Sequence, residues 1–322
     1  MIIIKIMGGL GNQLQQYALY RRILKEDVPA KLDMSWFDTD NQADMGAPRK
    51  CELNYLEGID YETATKDEIS KLTGGSSIIG SIRRRLKSTL GIGKIAILNE
   101  EKRIYLEDEM NDICDRKTVT DMYIEGYFAN EVYYSKVLAD LRKEISFPVE
   151  KAVNSDKIKI MAHKMKEENS VSIHIRRGDY LNPENAAGFG GICTDEYYDE
   201  SMKICMEKME NPCFYIFSDD TEYANGFMNR AKEKFNLSDS AITVVNLNEN
   251  EDNYFDMYLM SCCRANIVAN STFSFWGARL NGNLGKIMIR PTIHRNGQTF
   301  DAVKMKEWWK DWMFVSPQGD RA

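Results

Sequence analysis

Between residues 171 and 289, short apolar runs rich in β-branched and aromatic residues alternate with longer stretches of helical periodicity, and this alternation leaves few folds open. Residues 171–175, 214–217, 242–247, 267–269 and 287–289 predict strands. Residues 196–209, 222–235, 253–264 and 273–280 predict the helices between them. Such regularity implies a doubly wound α/β domain on a parallel sheet, with its ligand site at the carboxyl ends of the strands. The amino terminus repeats the pattern on a smaller scale. Ile2-Ile3-Ile4-Lys5-Ile6-Met7 predicts a buried strand stopped by Gly8-Gly9, residues 8–12 a loop, residues 13–25 a helix, and residues 30–34 a second strand. Residues 40–125 show less order and are read as holding insertions. A boundary is expected near Phe147-Pro148-Val149-Glu150-Lys151. The division is then residues 1–150, residues 151–300, and residues 301–322 as a C-terminal helix and tail.

Composition narrows the function classes. The 322 residues suffice for two domains. Basic residues number 42 against 49 acidic ones, a net charge of −7, which disfavours a nucleic-acid partner because phosphate contacts need clustered positive surface. The longest apolar stretch, residues 1–7, is broken by Lys5, so no transmembrane segment or signal peptide is expected. Seven cysteines and three histidines lie scattered, predicting neither a disulfide framework nor a metal site, and a reduced, cytoplasmic setting.

Four segments sit where strands pass into loops or helices. In Gly8-Gly9-Leu10-Gly11-Asn12-Gln13 the glycines permit close backbone approach by a ligand, and the next helix presents its positive end; a tight strand-to-helix turn is the plainer reading. In His174-Ile175-Arg176-Arg177-Gly178-Asp179-Tyr180 an arginine fork can grip phosphate oxygens. Strand alternation puts His174 and Arg176 on one side and Arg177 on the other, unless the strand ends first. Arg176 is therefore expected to be the diphosphate ligand, with His174 beside it and Arg177 in support; a surface Arg-Asp pair is the alternative. In Phe217-Ser218-Asp219-Asp220, Ser218 and Asp219 are candidates for ribose or base binding, or else they open a helix. The fourth segment holds Asp256, whose carboxylate could accept paired guanine N–H bonds or complement the helix dipole. It also holds Asn270, Ser271, Thr272 and Ser274, whose hydroxyls and amides at a helix start form either an anion site or an ordinary cap. Outside these, Arg83-Arg84-Arg85-Leu86-Lys87 reads as a solvated helix face or as a peripheral contact with an anionic membrane, and Trp308, Trp309 and Trp312 as a docked helix or a sugar-stacking surface.

Together these segments resemble the bacterial members of glycosyltransferase family 11, the α-1,2-fucosyltransferases. GGLGNQLQQYA at residues 8–18 is similar to the family's amino-terminal loop and helix, and HIRRGDY at 174–180 to its HxRRxD motif. NSTFSFWGARL at 270–280 resembles its carboxy-terminal motif, with Phe275 where a second Trp is usual. YIEGYF at 123–128 and residues 256–262 also look like family segments. The resemblance implies a GT-B fold, two Rossmann-like domains facing across a cleft, and metal-independent, inverting transfer of L-fucose from GDP-β-L-fucose to the 2-hydroxyl of a terminal galactoside. No cofactor beyond the donor substrate is implied. Carried over by position, Arg176 holds the β-phosphate with His174 nearby, Ser271, Thr272 and Ser274 lie on the phosphate side, Asp256 reads guanine, and Asn12, flanked by Gly11 and Gln13, touches the donor. Animal members carry a membrane anchor, so the expectation here is a bacterial cytoplasmic enzyme.

Loss of a diphosphate without a metal requires fixed positive groups, and an arginine opposite a helix start supplies two kinds. The general base stays open between Asp179 and Glu184. Three competing readings are an NAD(P)-dependent oxidoreductase with Asp33 as ribose ligand, a metal-dependent GT-A enzyme using Asp38-Thr39-Asp40, and a non-catalytic nucleotide- or sugar-binding protein.

Overall fold

The computed structural model describes residues 1–38, 49–73, 95–99, 121–247 and 253–322, without the side chains of residues 95–99 and 184. The basic run at residues 83–87 and the pair Thr39-Asp40 lie outside the described residues. The chain divides into two compact units, Met1–Ser146 and Phe147–Ala322.

The first unit is built on a four-stranded, all-parallel sheet in the order β2-β1-β4-β3, with β1 Ile2–Lys5, β2 Ala30–Asp33, β3 Ile95–Asn99 and β4 Asp121–Glu125. The central strand β1 is a run of isoleucines because both its faces are covered; Ile2, Ile3 and Ile4 are buried. Helix α1 (Leu10–Lys25) returns the chain from β1 to β2, α2 (Lys66–Thr73) packs near β4, and α3 (Leu138–Glu144) lies close to the end of the unit. The glycine loop is shorter than the sequence suggests. Helix α1 begins at Leu10 with Gly9 as its N-cap, so Gly11, Asn12 and Gln13 already belong to its first turn.

The second unit carries six parallel strands in the order β10-β9-β8-β5-β6-β7. They are β5 Ser170–Ile175, β6 Cys213–Ser218, β7 Ile242–Val244, β8 Ala265–Ile267, β9 Ile287–Pro291 and β10 Trp312–Val315. From β5 the chain winds outward through β6 and β7, then crosses back to lay β8 against the other side of β5, Ile173 pairing with both Ile216 and Ile267. Strand order thus reverses between β5 and β8, the place where open α/β sheets bind ligands. Alternation along β6 explains the two layers of helices. Phe214 and Ile216 join α6 (Asp195–Lys208) and α7 (Thr221–Phe235) on one face. Tyr215 and Phe217 join α4 (Ser155–Glu167) and α8 (Tyr254–Cys262) on the other. A short helix, α5 (Pro183–Phe189), follows β5, α9 (Thr272–Leu280) follows β8, and α10 (Ala302–Trp308) precedes β10.

Two features depart from the sequence reading. Residues 301–322 are no helix-and-tail appendage: β10 adds a sixth strand, Trp312 opposite Met288, and buried Trp309 and Trp312 close a core around Phe275. Its four residues, Trp312-Met313-Phe314-Val315, follow the helix ending at Trp308 too closely for periodicity to separate them. Helix α4 has no counterpart in that reading, although Ile158, Ala162 and Met165 recur at helical spacing and are all buried.

Helices α8 and α9 press together at Gly277, where an added Cβ would come within 2.9 Å of the Met260 Cβ. Overpacking there costs roughly 1–3 kcal/mol, so Gly277→Ala is expected to lower the urea midpoint without changing the slope of the unfolding curve. An unchanged midpoint would show that the helix pair yields freely.

Candidate functional site

Arg176 is the first residue beyond β5, so the alternation that would have fixed its direction stops one position earlier. Two carboxylates fix it instead. Its Nη2 donates to Asp179 Oδ1 at 2.6 Å, and its Nη1 lies 2.6 Å from Asp219 Oδ2. Asp219 also accepts the backbone N–H of Arg177 at 2.9 Å through its other oxygen. Gly178 makes this approach possible, because a Cβ there would stand 2.6 Å from Asp219 Oδ2. The glycine of HIRRGDY is thus required by the carboxylate at the end of β6. A guanidinium has five N–H donors, and these two ion pairs engage only one on each Nη.

Arg177 turns the other way. Its Nε donates to Asp220 Oδ2 at 3.0 Å, and its guanidinium sits 3.9 Å from the centroid of Tyr223. Asp220 in turn caps α7 by accepting the Tyr223 N–H, and that bond, with Arg177 second, holds its carboxyl below the usual range. Ser218 Oγ accepts the Asp220 N–H at 3.1 Å. Ser218, Asp219 and Asp220 together therefore build the turn and anchor both arginines.

His174 is 6% exposed on β5, with its ring 5.9 Å from that of Phe273 in α9. Burial, reinforced by the charge of Arg176, pushes its pKa down to about 4, and its Nδ1 has no hydrogen-bond partner among the described residues. Helix α9 starts on the strand beside it. Ser271 occupies the N-cap in extended conformation but makes no side-chain capping bond, leaving the first-turn amides without that acceptor. Helices α6 and α7, by contrast, are capped by Thr194 and Asp220. Thr272 is half-buried, whereas Ser274 is fully buried and donates to Ser271 O at 3.2 Å. The Asn270 Nδ2 donates to Phe189 O and His294 O, both at 3.1 Å, while its backbone carbonyl accepts the Tyr180 hydroxyl at 2.9 Å. Asn270 is a brace that ties α5 to the strand ends. Asp256 lies half-buried in the first turn of α8. The structure thus brings His174, Arg176, Asp179, Asp219, Ser271 and Thr272 to one edge of one sheet, on strands β5, β6 and β8 that lie side by side. Glu184 lies on α5, its side chain outside the described residues.

In the first unit, the GNQLQQ stretch has a structural explanation that sequence reasoning missed. Gln13 is fully buried: its Nε2 donates to Gly8 O and Lys50 O, and its Oε1 accepts the Glu52 and Leu53 amides. Gln16 accepts the Met7 amide and donates to Gly126 O, and Gln15 donates to Tyr127 O. The amino end of α1 receives an internal anion, since the Glu52 carboxylate accepts the Leu10 N–H at 2.7 Å; burial raises the pKa of that carboxyl. Gly11 is buried in the same turn, and the Asn12 side-chain amide makes no hydrogen bond among the described residues. Asp33 cannot serve a dinucleotide ribose in this arrangement: it is buried and accepts the Tyr123 hydroxyl at 2.6 Å and the Ser35 amide at 2.8 Å. No group of three or more His, Cys, Asp or Glu suited to a metal occurs among the described residues, and no described helix is long and apolar enough to cross a membrane.

A histidine held below its usual pKa binds fewer protons folded than unfolded, so it favours the native state at neutral pH and this contribution fades as pH falls from about 6.5 toward 4. His174→Gln is expected to shrink the stability lost between pH 7 and pH 5 by about 2 kcal/mol, read from urea unfolding at both pH values. An unaltered loss would mean that the ring is hydrated.

Comparison with known proteins follows the same lines. The model for Glycosyl transferase family 11 matches residues 94–315. An alpha-1,2-colitosyltransferase of Escherichia coli is 33% identical over 293 residues, covering 90% of this chain and 91% of its own. The O-antigen biosynthesis glycosyltransferase WbnK of Escherichia coli is 29% identical over 94% of this chain and 98% of its own. Human galactoside alpha-(1,2)-fucosyltransferase 1 is 28% identical over 112 residues, 35% of this chain and 29% of its own. Among solved structures, that of a point mutant of Arabidopsis thaliana FUT1 in complex with GDP superposes with a TM-score of 0.49 at 12% identity, over 87% of this chain and 68% of that one. Each of the two units is an α/β layer built on an all-parallel sheet. With a family model spanning well over half its length and a relative a third identical along nearly all of it, this chain belongs to glycosyl transferase family 11.

Proposed function

We propose that the protein transfers L-fucose from GDP-β-L-fucose to the 2-hydroxyl of a terminal galactoside, with inversion and without a metal. The observation that carries this reading is the placement of Arg176 beside the uncapped start of α9, on adjacent strands where the sheet order reverses. In the reaction the acceptor hydroxyl attacks the anomeric carbon opposite the diphosphate, the bond from that carbon to the β-phosphate oxygen breaks with its electron pair going to GDP, and the hydroxyl proton passes to a general base, for which Asp179 and Glu184 are the candidates. Negative charge grows on the departing GDP as the sugar becomes cation-like. Arg176 has N–H donors left to meet that charge, and the first-turn amides of α9 add an oriented dipole from the neighbouring strand. On this reading Asp256 reads the guanine base. Asp179 and Asp219 hold the guanidinium in position, and Asp179, already engaged by Arg176, serves better as an orienting group than as a base.

A second donor is favoured by one finding, the colitosyltransferase that matches nearly the whole chain. Colitose differs from fucose by lacking the 3-hydroxyl, so discrimination would rest on one hydrogen-bonding group.

Incubation with GDP-fucose and GDP-colitose against a panel of galactosides in EDTA is expected to yield a 2-fucosylated product. Transfer of colitose alone would replace the donor assignment, and GDP binding without transfer would favour a binding protein. Arg176→Ala is expected to lower kcat at least ~100-fold, the usual cost of removing one charge-stabilising donor. Asp219→Asn should weaken GDP binding in the otherwise unaltered protein and have little further effect in the Arg176→Ala background. Additive losses would mean that Asp219 touches the nucleotide itself.

A further inference from the structure

Strands β5 and β8 pair Val171 with Ala265, Ser172 with Asn266 and Ile173 with Ile267, and there their ladder ends. The groups proposed to meet the diphosphate lie beyond that last pair. Arg176 follows the end of β5, and Ser271, the N-cap of α9, comes after Val268, Ala269 and Asn270. Past Ile173 and Ile267 no ladder bond between these two strands sets the separation of the chains. Among the described residues, one hydrogen bond joins residues 176–181 to residues 268–272. It is the bond from the Tyr180 hydroxyl to the backbone carbonyl of Asn270, at 2.9 Å.

Both ends of that bond are held. Tyr180 follows Asp179, which accepts from Arg176 Nη2, and the Arg176 guanidinium carbon stands 5.8 Å from the centroid of the tyrosine ring. The ring is stacked on Phe189 at 5.3 Å with 18° between the planes, and the Asn270 side chain holds Phe189 O. Burial raises the phenol pKa, so the hydroxyl stays a donor across the neutral range. The accepting carbonyl belongs to the peptide unit that joins Asn270 to Ser271. That unit is planar and trans, so fixing its oxygen also fixes the direction of the Ser271 N–H and the entry into α9.

We propose that Tyr180 is a positioning residue that sets the gap between the Arg176 guanidinium and the amides opening α9, and so makes the site select a nucleoside diphosphate over a monophosphate; this rests on the donor reading above. The terminal phosphate of a diphosphate can engage both groups at once. A monophosphate has no second phosphate to offer them. Two contacts to one phosphate need a fixed spacing, since chains that part by about 1 Å lose one contact as they keep the other.

The test is calorimetry with GDP and with GMP. Tyr180→Phe keeps the ring and its stack on Phe189 and removes the one bond. It is expected to raise the GDP Kd about fivefold, in line with the net worth of one hydrogen bond, and to leave the GMP Kd within about twofold. The kcat for transfer should fall about fivefold or more, with the acceptor KM within about twofold. In the Arg176→Ala background the same substitution should change the GDP Kd by less than about twofold, because no guanidinium remains to be aligned. Equal weakening of GDP and GMP would reduce Tyr180 to a general support of the fold and overturn the inference. An unchanged GDP Kd, or losses that add fully to those of Arg176→Ala, would overturn it as well. An unaltered protein that binds GDP no better than GMP would contradict the donor reading and take the inference with it, whereas a preference for GDP that survives Tyr180→Phe overturns the inference alone.

Discussion

The geometry of the candidate site depends on one guanidinium held between two carboxylates. Arg176 leaves β5 where strand geometry no longer governs side-chain direction, and a long flexible cation there would otherwise sample many rotamers. Asp179 engages it from the following turn and Asp219 from the neighbouring strand. Asp219 does more than pair: by taking the Arg177 N–H and lying against Gly178 it fixes the backbone that carries the arginine. The balance of charge is informative. One cation beside two acids is locally negative, so the pairings orient Arg176 without creating a strong free anion trap, and under the proposed function selectivity for a diphosphate would draw on the amides of α9 as well.

The two units use similar strand-to-helix turns for different ends. At α1 the helix start is closed by the molecule's own Glu52, and the glutamines after it tie together loops from residues 50–53 and 126–127. At α9 no capping side chain intervenes. A glycine-rich loop before a helix is therefore weak evidence for phosphate binding; what separates the two turns is whether an acceptor already occupies the first-turn amides.

Much of this was legible in the residues. The strands of the second unit up to β9, and the helices from α6 to α9 that follow α5, were visible because buried β-branched runs and helical repeats differ in period. The pairing of HIRRGDY with NSTFSFW pointed to one edge of one sheet. What stayed hidden depended on contacts distant in sequence. Nothing local marks Asp219 as the partner of Arg176 on the neighbouring strand, or Gln13 as a brace for Lys50 rather than a ligand. Asn270 resembles an anion-site residue until its amide is found on two carbonyls. β10 escaped notice because an edge strand of four residues has too little length for a period to show.

The account is tested most directly by a structure of the protein with GDP bound. It predicts the β-phosphate within hydrogen-bonding distance of the Arg176 guanidinium and of the backbone amides of Thr272 or Phe273, with Asp219 still holding Nη1. A diphosphate bound elsewhere, with Arg176 remaining closed between its two carboxylates, would contradict it.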